Sequence, residues 1–314
     1  MQDVTVGASL RNAFGEALIH FSDYPFMVFD ADVAGGTGLS AFREAFPSRL
    51  VSVGIAEQAM VGIAAGYALH HKKQITFAST FASFGARAWE IFSLSVAYNR
   101  APVCLVLSHL GLDVGPDGAS AQSLSHYHLW RSIPGVRVIH PADAYEMKTS
   151  VKYLLDNPQP SVLFTGRSDT PPLGISDYNG FAKALRPWGD ATIVACGHTV
   201  RIALEAADYL KDDYNLNVGV INLSTLAPLD SRILHMAAER GPIVTIEDAY
   251  GGLHELVCAA VCQWRPTLVG KVAVNDWGQS GEPAELYELY GLTVSKLSDA
   301  VLGVVEDTKL MRGL

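Results

Sequence analysis

A single carboxylate stands at the start of an otherwise apolar stretch of small residues. Glu57 follows Val53-Gly54-Ile55-Ala56, and the next predicted element carries two aromatic rings, Phe81 and Phe84. An acid that faces an apolar, aromatic pocket can bind a flat heterocycle and change its protonation state. Taken alone, Glu57 is more simply explained as a helix-capping or surface carboxylate. Its surroundings in the sequence must therefore decide between the two interpretations.

A second group of polar residues follows predicted strands. The irregular loop 109–125 comes directly after the predicted strand 103–108 and offers His109 and Asp117, while Arg167 follows the predicted strand 161–165. Ligands of open parallel sheets bind at the carboxyl ends of the strands, and a guanidinium there suits a phosphate. Each of these residues could also be an ordinary turn or ion-pair residue. Together they predict a polar ligand site at one sheet edge.

The segment Gly35-Gly36-Thr37-Gly38 resembles a phosphate-binding turn. It lacks the lysine of a P-loop and the spacing of a dinucleotide-binding fingerprint. A tight turn explains these glycines equally well, so both interpretations stay open.

Predicted strands and helices alternate along the chain, which is typical of parallel sheets covered on both faces. The pattern breaks from Thr170-Pro171-Pro172-Leu173 to Trp188-Gly189 and then resumes. We therefore predict an α/β protein with two parallel-sheet domains, residues 1–175 and 191–314, joined by a linker at 176–190. Within the first domain, residues 82–98 are predicted to form one helix.

Composition narrows the class of protein. The 314 residues are 49% apolar and 18% charged, which excludes disorder, and the net charge of −9 makes nucleic acid an unexpected partner. The four cysteines lie in apolar runs without paired ligand spacing, so we expect reduced structural thiols, with Cys258 and Cys262 on a buried helix. No targeting signal or membrane-spanning run is evident, and we expect a cytoplasmic protein without membrane contact.

Ordered motifs across nearly the whole chain resemble the transketolase family. The chain is similar to the part of a transketolase that comprises the pyrimidine-binding domain and the smaller C-terminal domain. The motifs are Gly54-Ile55-Ala56-Glu57-Gln58, Ser79-Thr80-Phe81, the run from Gly115 to Gln122, Arg131-Ser132-Ile133-Pro134-Gly135, Pro141-Ala142-Asp143, Glu247-Asp248-Ala249-Tyr250-Gly251-Gly252-Leu253, Trp277-Gly278-Gln279-Ser280-Gly281 and Tyr290-Gly291-Leu292.

The resemblance implies a cofactor site for thiamine diphosphate. Glu57 would hydrogen-bond the pyrimidine ring nitrogen and favour the imino tautomer, with Ile55 as a further cofactor contact. Phe81 and Phe84 would form the aromatic wall against which the pyrimidine packs, although either could be an ordinary core phenylalanine.

The resemblance also implies substrate contacts. His109 and Arg167 would bind a sugar phosphate, and Asp117 would hold a substrate hydroxyl. The expected reaction moves a two-carbon ketol unit from a ketose to an aldehyde acceptor. The second domain would carry no catalytic residue and would mainly support the dimer.

The sequence lacks one part of the family's machinery. Transketolases hold the diphosphate through Mg²⁺ with a Gly-Asp-Gly segment and a later Asn, and no such pair occurs here, since Pro116-Asp117-Gly118 lies in another context. We therefore expect no metal ligand in this chain. Mg²⁺ would be bound mainly by a separate N-terminal subunit, in a heterotetramer built around a two-fold axis.

A second departure concerns the substrate. Ala121 occupies the position of the histidine in the Gly-Pro-Thr-His-Gln run of ordinary transketolases, and alanine cannot hydrogen-bond a hydroxyl. A modified sugar, or an acceptor without the usual phosphate, is therefore an open alternative to the standard sugar phosphates.

Three other functions remain as alternatives. Gly36-Thr37-Gly38-Leu39 with Phe46-Pro47-Ser48-Arg49 resembles 1-deoxyxylulose-5-phosphate synthases, which are not normally split. The β subunit of a 2-oxo acid dehydrogenase shares the architecture, but its usual His-Ser-Gln stretch is absent here. A non-catalytic scaffold subunit is the third, and the intact Glu57 argues against it.

Overall fold

The computed structural model describes residues 8–175, 177–311 and 313. Two mostly parallel sheets with helices on their faces account for most of this part of the chain. The strands are β1 (Met27–Asp30), β2 (Leu50–Ser52), β3 (Thr76–Phe81), β4 (Val103–Ser108), β5 (Arg137–Ile139), β6 (Ser161–Thr165), β7 (Lys183–Arg186), β8 (Ala191–Ala195), β9 (Val218–Asn222), β10 (Thr225–Ala227), β11 (Ile243–Glu247) and β12 (Val269–Ala273). The predicted α/β class is confirmed.

Helices cover both sheets. They are α1 (Leu10–His20), α2 (Ser40–Ala45), α3 (Glu57–His70), α4 (Ala82–Gly85), α5 (Trp89–Ile91), α6 (His126–Arg131), α7 (Ala144–Asp156), α8 (Thr199–Tyr214), α9 (Ser231–Arg240), α10 (Leu253–Cys262), α11 (Pro283–Tyr290) and α12 (Val294–Met311). Among the described residues, no helix is both long enough and apolar enough to cross a membrane.

The first sheet has the strand order β10-β5-β6-β4-β3-β1-β2. Its central strands are continuous apolar runs, and every residue of β4 and β6 is buried. Such strands are typical of a parallel sheet covered on both faces, and burial of each Val or Leu side chain stabilises the fold by about 1.5–3 kcal/mol. β2 lies on one side of β1, and β3 lies on the other. The connections after β1 and β2 therefore run in opposite directions across the sheet, which creates a crevice at the carboxyl ends of β1 and β3.

The edge strand of the first sheet comes from the second half of the chain. The strand β10 pairs antiparallel with β5, so that Thr225 lies opposite Ile139. The second sheet has the order β12-β11-β8-β9-β7, in which β7 is antiparallel to β9.

The structure differs from the sequence-based prediction in several places. The predicted linker 176–190 contains β7, so the second sheet begins inside it. Residues 82–98 are helical but not one regular helix, because α4 and α5 are followed by a π-helical turn at Phe92–Tyr98. The helices α6 and α11 were not predicted. Cys104 and Cys196 are buried as expected, whereas Cys258 is half-buried and Cys262 is exposed.

Candidate active site

The predicted site residues follow the carboxyl ends of neighbouring strands. Phe81 of β3 lies opposite Ser108 of β4, and Ser108 in turn lies opposite Thr165 of β6. His109 comes directly after β4, and Arg167 lies two residues after the end of β6. The register of the sheet therefore brings together residues that are far apart in the sequence.

Glu57 begins α3, which starts five residues after β2 ends. Glu57 is only 6% exposed. Its position at the N-terminus of a helix favours a negatively charged carboxylate. Within the described residues it accepts one hydrogen bond, from Arg87 Nη2 to Oε1 at 3.3 Å. The guanidinium belongs to a side chain that is 59% exposed, so the Glu57 carboxylate lies between the protein interior and the surface.

Three rings stack next to this ion pair. The centroids of Phe81 and Phe84 lie 5.1 Å apart with planes inclined by 22°, and the His109 ring lies 3.6 Å from Phe81 at 19°. The Arg87 guanidinium lies 5.3 Å from the centre of the Phe84 ring. A chain of contacts therefore joins Glu57 to His109 through Arg87 and the two phenylalanines.

The glycine-rich turn after β1 packs against this stack. A Cβ atom on Gly36 would lie 2.6 Å from Phe81 Cζ, and one on Gly38 would collide with the Arg11 carbonyl. The Arg11 side chain also donates a hydrogen bond from Nη1 to the Gly36 carbonyl at 3.0 Å. Close packing therefore explains Gly36 and Gly38 in the structure, where the sequence alone left a phosphate-binding turn as an alternative.

His109 is a buried, neutral histidine. Burial, and after it the positive charge of Arg11, lower its pKa to about 4, while Asp117 acts in the opposite direction. Its Nδ1 shares a hydrogen bond of 2.9 Å with Ser108 Oγ, and its Nε2 lies 3.7 Å from Asp117 Oδ2. The imidazole can therefore offer a hydrogen bond near neutral pH but not a positive charge.

Asp117 and Arg167 form the polar rim of the site. Arg167 Nη1 donates to Asp117 Oδ1 at 3.2 Å and also to the Val114 carbonyl. The Asp117 side chain is 39% exposed and that of Arg167 is 29% exposed, so solvent or a ligand can reach both groups.

Asp113, which the sequence analysis did not single out, fixes Arg167 in place. It is buried, and its Oδ2 accepts hydrogen bonds from the backbone N–H of Arg167 at 2.5 Å and of Ser168 at 3.1 Å. One carboxylate of the loop after β4 therefore fastens the segment after β6. The only signal for Asp113 in the sequence is its position in the loop 109–125, and Asp117 has the same signal. The sequence alone therefore does not show which of the two carboxylates binds the backbone.

Ala121 lies beside a cavity at the junction of the two domains. The cavity has a volume of about 560 Å³, and its walls include Ser83, Ser120 and Gln122 from the first domain and Tyr250 and Trp277 from the second. Ala121 itself is 8% exposed. The position of the family histidine is thus nearly closed to solvent in this chain.

The structure joins most of the predicted site residues in one array and leaves one apart. Glu57, Phe81, Phe84, His109, Asp117 and Arg167 are linked by successive contacts. Ile55, in contrast, is 79% exposed in the loop before α3. In residues 8–175, 177–311 and 313 there is no group of three or more His, Cys, Asp or Glu side chains arranged to hold a metal ion.

Comparisons with known proteins match both halves of the chain. Residues 6–172 match the family model described as "Transketolase, pyrimidine binding domain", and residues 180–297 match "Transketolase, C-terminal domain". The chain is 33% identical to a protein of Methanocaldococcus jannaschii named "Putative transketolase C-terminal section", over 93% of this chain and 95% of that protein. It is 32% identical to human transketolase, over 94% of this chain and 49% of that protein.

A solved structure gives the same result. The chain superposes on a structure described as "Split gene transketolase, inactive beta4 tetramer" with a TM-score of 0.87 at 35% identity, covering 96% of this chain and all of that one. The chain therefore spans nearly the full length of two relatives and about half the length of human transketolase.

Proposed function

The chain belongs to the transketolase family, and we propose that it is one component of a two-component transketolase that depends on thiamine diphosphate. The reaction is transfer of a two-carbon ketol unit from a ketose to an aldehyde acceptor. The observation that carries the proposal is the continuous array from Glu57 to Arg167 at the carboxyl ends of the strands. The relatives reported above are all described as transketolases or sections of one, which favours this reaction over the synthase and dehydrogenase alternatives.

The site suits the pyrimidine ring of thiamine diphosphate. Glu57 is a buried carboxylate whose Oε2 accepts no hydrogen bond within the described residues, and one free acceptor is what a protonated ring nitrogen requires. The partly exposed pair of Phe81 and Phe84 offers a flat apolar surface for the ring itself. When bound, thiamine diphosphate supplies the electron sink that carbon–carbon cleavage in a ketose requires.

The residues of this chain then have separate tasks. Glu57 holds a hydrogen bond at the pyrimidine nitrogen, and its burial strengthens that bond because water does not compete for it. His109, which is neutral, offers the substrate a hydrogen bond but no positive charge. Arg167 provides the positive charge for a sugar phosphate, while Asp117 accepts a hydrogen bond from a substrate hydroxyl.

We propose that the diphosphate and Mg²⁺ are bound mainly by a separate N-terminal subunit. Exposed apolar side chains occur on two helical segments that pack against each other: Ile63 of α3 is 48% exposed, and Leu94 and Tyr98 of the π-helical turn are 54% and 82% exposed. They support a subunit contact on this face. The split-gene relative is described as an inactive tetramer, which supports both self-association and the need for a second component.

The test is ketose cleavage measured with this chain alone and with a candidate N-terminal subunit, in thiamine diphosphate and Mg²⁺. We expect turnover of a ketose phosphate with an aldehyde acceptor only in the mixture. In the mixture, Glu57→Gln should lower kcat by at least about 100-fold, since it removes the charged acceptor. Glu306→Gln, an exposed change on α12 away from the proposed subunit contact, is the matched control and should leave turnover unchanged.

Three outcomes would count against the proposal. Turnover by the chain alone would refute the two-component arrangement. Near-normal turnover by Glu57→Gln would refute the cofactor assignment. No turnover in the mixture, together with no binding of the cofactor, would favour a scaffold subunit instead.

A further inference from the structure

We propose that the second domain takes part in substrate binding through a carboxylate that does not touch the substrate. Asp248 is a positioning residue that fixes the loop carrying His109 and Asp117. The proposal rests on the proposed function for the role of those two residues, but the fastening itself is a separate, measurable property of the chain.

Asp248 is bound to the backbone of the loop at both carboxylate oxygens. It directly follows β11 and is 2% exposed. Its Oδ1 accepts a hydrogen bond from the Leu112 N–H at 2.8 Å, and its Oδ2 accepts one from the Asp113 N–H at 3.1 Å. Two successive amides of the loop are therefore held by one side chain that lies more than 130 positions later in the sequence.

Two further side chains of the second domain hold the Asp248 carboxylate. His198 Nε2 lies 3.0 Å from Oδ2, and the Tyr287 hydroxyl donates to the same oxygen at 3.0 Å. The rings of His198 and Tyr287 stack with centroids 5.7 Å apart, so each restricts the other. Burial is the largest effect and opposes a positive charge on His198, but the hydrogen bond to Asp248 and the negative charges of Asp113 and Asp248 together outweigh it, so the pKa of His198 is raised.

The backbone of the loop is shaped for this contact. Gly111 has a φ of +54°, and a Cβ atom there would collide with the Asp248 carboxylate, so the close approach requires glycine. His109 lies two positions before Gly111 and also has a positive φ of +60°, which is uncommon for a residue with a side chain. A backbone in this conformation persists only where surrounding contacts hold it.

The fastening extends to Arg167 as well. Asp113, whose N–H is bound by Asp248, itself binds the backbone N–H groups of Arg167 and Ser168. Asp248 therefore lies at the start of a chain of hydrogen bonds that reaches the Arg167 backbone and, through the Arg167 side chain, Asp117. In this chain of bonds, the second-domain residues bind the loop backbone and one another, and none of them bonds to a side chain that is predicted to bind substrate.

The variant Asp248→Asn tests the fastening at nearly constant volume. Its NH₂ group must face either the Leu112 N–H or the Asp113 N–H, so at least one backbone donor loses its acceptor. In the chain alone, we expect hydrogen exchange of the Leu112 and Asp113 amides to become at least about tenfold faster, equivalent to about 1.4 kcal/mol. The control Asp208→Asn, which removes an exposed partner of Arg186 in the same domain, should leave these amides unchanged.

Activity of the assembled enzyme then tests the consequence for substrate. We expect Asp248→Asn to raise KM for a ketose phosphate about tenfold while kcat changes by less than about threefold, because Glu57 makes no hydrogen bond to this loop within the described residues. Tyr287→Phe is the milder variant if Asp248→Asn folds poorly, and it should raise both exchange and KM by a smaller factor.

The outcomes separate this proposal from the proposed function. Unchanged amide exchange in both variants would overturn the fastening, whether or not the enzyme is active. Faster exchange with an unchanged KM, or with loss of kcat alone, would overturn the positioning role. Absence of turnover in the wild-type mixture would overturn the proposed function, whereas the exchange measurement would still decide the fastening.

Discussion

Replacing Gly36 by alanine tests how tightly the aromatic wall is held. A methyl group at this position would point at the edge of the Phe81 ring, with its carbon 2.6 Å from Cζ and 2.7 Å from Cε1. Carbon atoms in van der Waals contact are separated by about 3.5–4.0 Å. The ring, or the turn that carries residue 36, must therefore move by about 1 Å.

The ring has little freedom to move. Phe84 lies stacked on it at 5.1 Å between centroids, and His109 at 3.6 Å. The turn is held in its place by the hydrogen bond from Arg11 to the Gly36 carbonyl and by the contact of Gly38 with helix α1. Overpacking of this kind costs about 1–3 kcal/mol. We expect Gly36→Ala to lower the free energy of unfolding of the chain by that amount.

The same strain should appear in cofactor affinity. If Phe81 turns away to relieve the clash, binding of a pyrimidine must bring it back, and 1–3 kcal/mol corresponds to affinity about 5- to 150-fold weaker. The assays are urea denaturation of the chain alone and a thiamine diphosphate titration of the assembled enzyme.

Gly35→Ala is the matched control, one residue away in the same turn. Its Cβ would meet only Ser40 Oγ, at 3.8 Å, which is an ordinary contact. We expect this control to change stability by less than about 0.5 kcal/mol and to leave cofactor affinity unchanged. If the two variants behave alike in both assays, the steric argument about Phe81 is wrong.

Three more predictions concern the site and its surroundings. Ala121→His should raise kcat/KM for an unmodified ketopentose phosphate at least about tenfold relative to the wild type, and no gain would mean that this position does not set the substrate range. Arg167→Lys should raise KM for a phosphorylated ketose more than for its unphosphorylated form, since one ammonium nitrogen cannot both keep the bonds that Arg167 Nη1 makes to Val114 and Asp117 and bind a phosphate, as separate guanidinium nitrogens can; equal effects would argue against a phosphate contact. Burial raises the pKa of Glu247 from its usual 4.5 to about 7 in the folded chain, so its contribution to stability is present below about pH 4.5 and is lost as pH rises through 7. Glu247→Gln should remove that loss, which is about 3 kcal/mol at most, and parallel stability curves of variant and wild type between pH 5 and 8 would contradict the assignment.

The central strands were the most predictable part of the fold. β4 and β6 occur at the predicted positions because each is a continuous apolar run bounded by polar residues. β7 was missed because Lys183–Arg186 is a four-residue edge strand with a charged residue at each end and none of its residues buried, in a stretch rich in proline and glycine. β10 is three residues long, and the strand it pairs with lies in the other half of the chain, so no local sequence pattern predicts it.

The candidate site shows the same limit. Residue type and position after a strand were enough to single out Glu57, His109 and Arg167, because parallel strands end at one edge of a sheet. The contact of Arg87 with Glu57 depends on how the irregular helical stretch after β3 packs, which periodicity does not reveal. Asp248 lies in a motif that the sequence analysis used for the family resemblance. Its hydrogen bonds to the loop after β4 are tertiary contacts between distant segments, which a motif does not predict.

The pairing of β10 with β5 means that the two domains are not independent modules. If the chain were cut between β6 and β7, the first fragment would lose the strand that covers β5, and its sheet would end in a row of unpaired backbone N–H and C=O groups. The unpaired groups at such an edge can pair with the same edge of another copy of the fragment. A protease nick in that segment should leave two pieces that stay together, whereas the first piece expressed alone should aggregate. The boundary drawn by sequence families is thus not a boundary at which this protein can be divided.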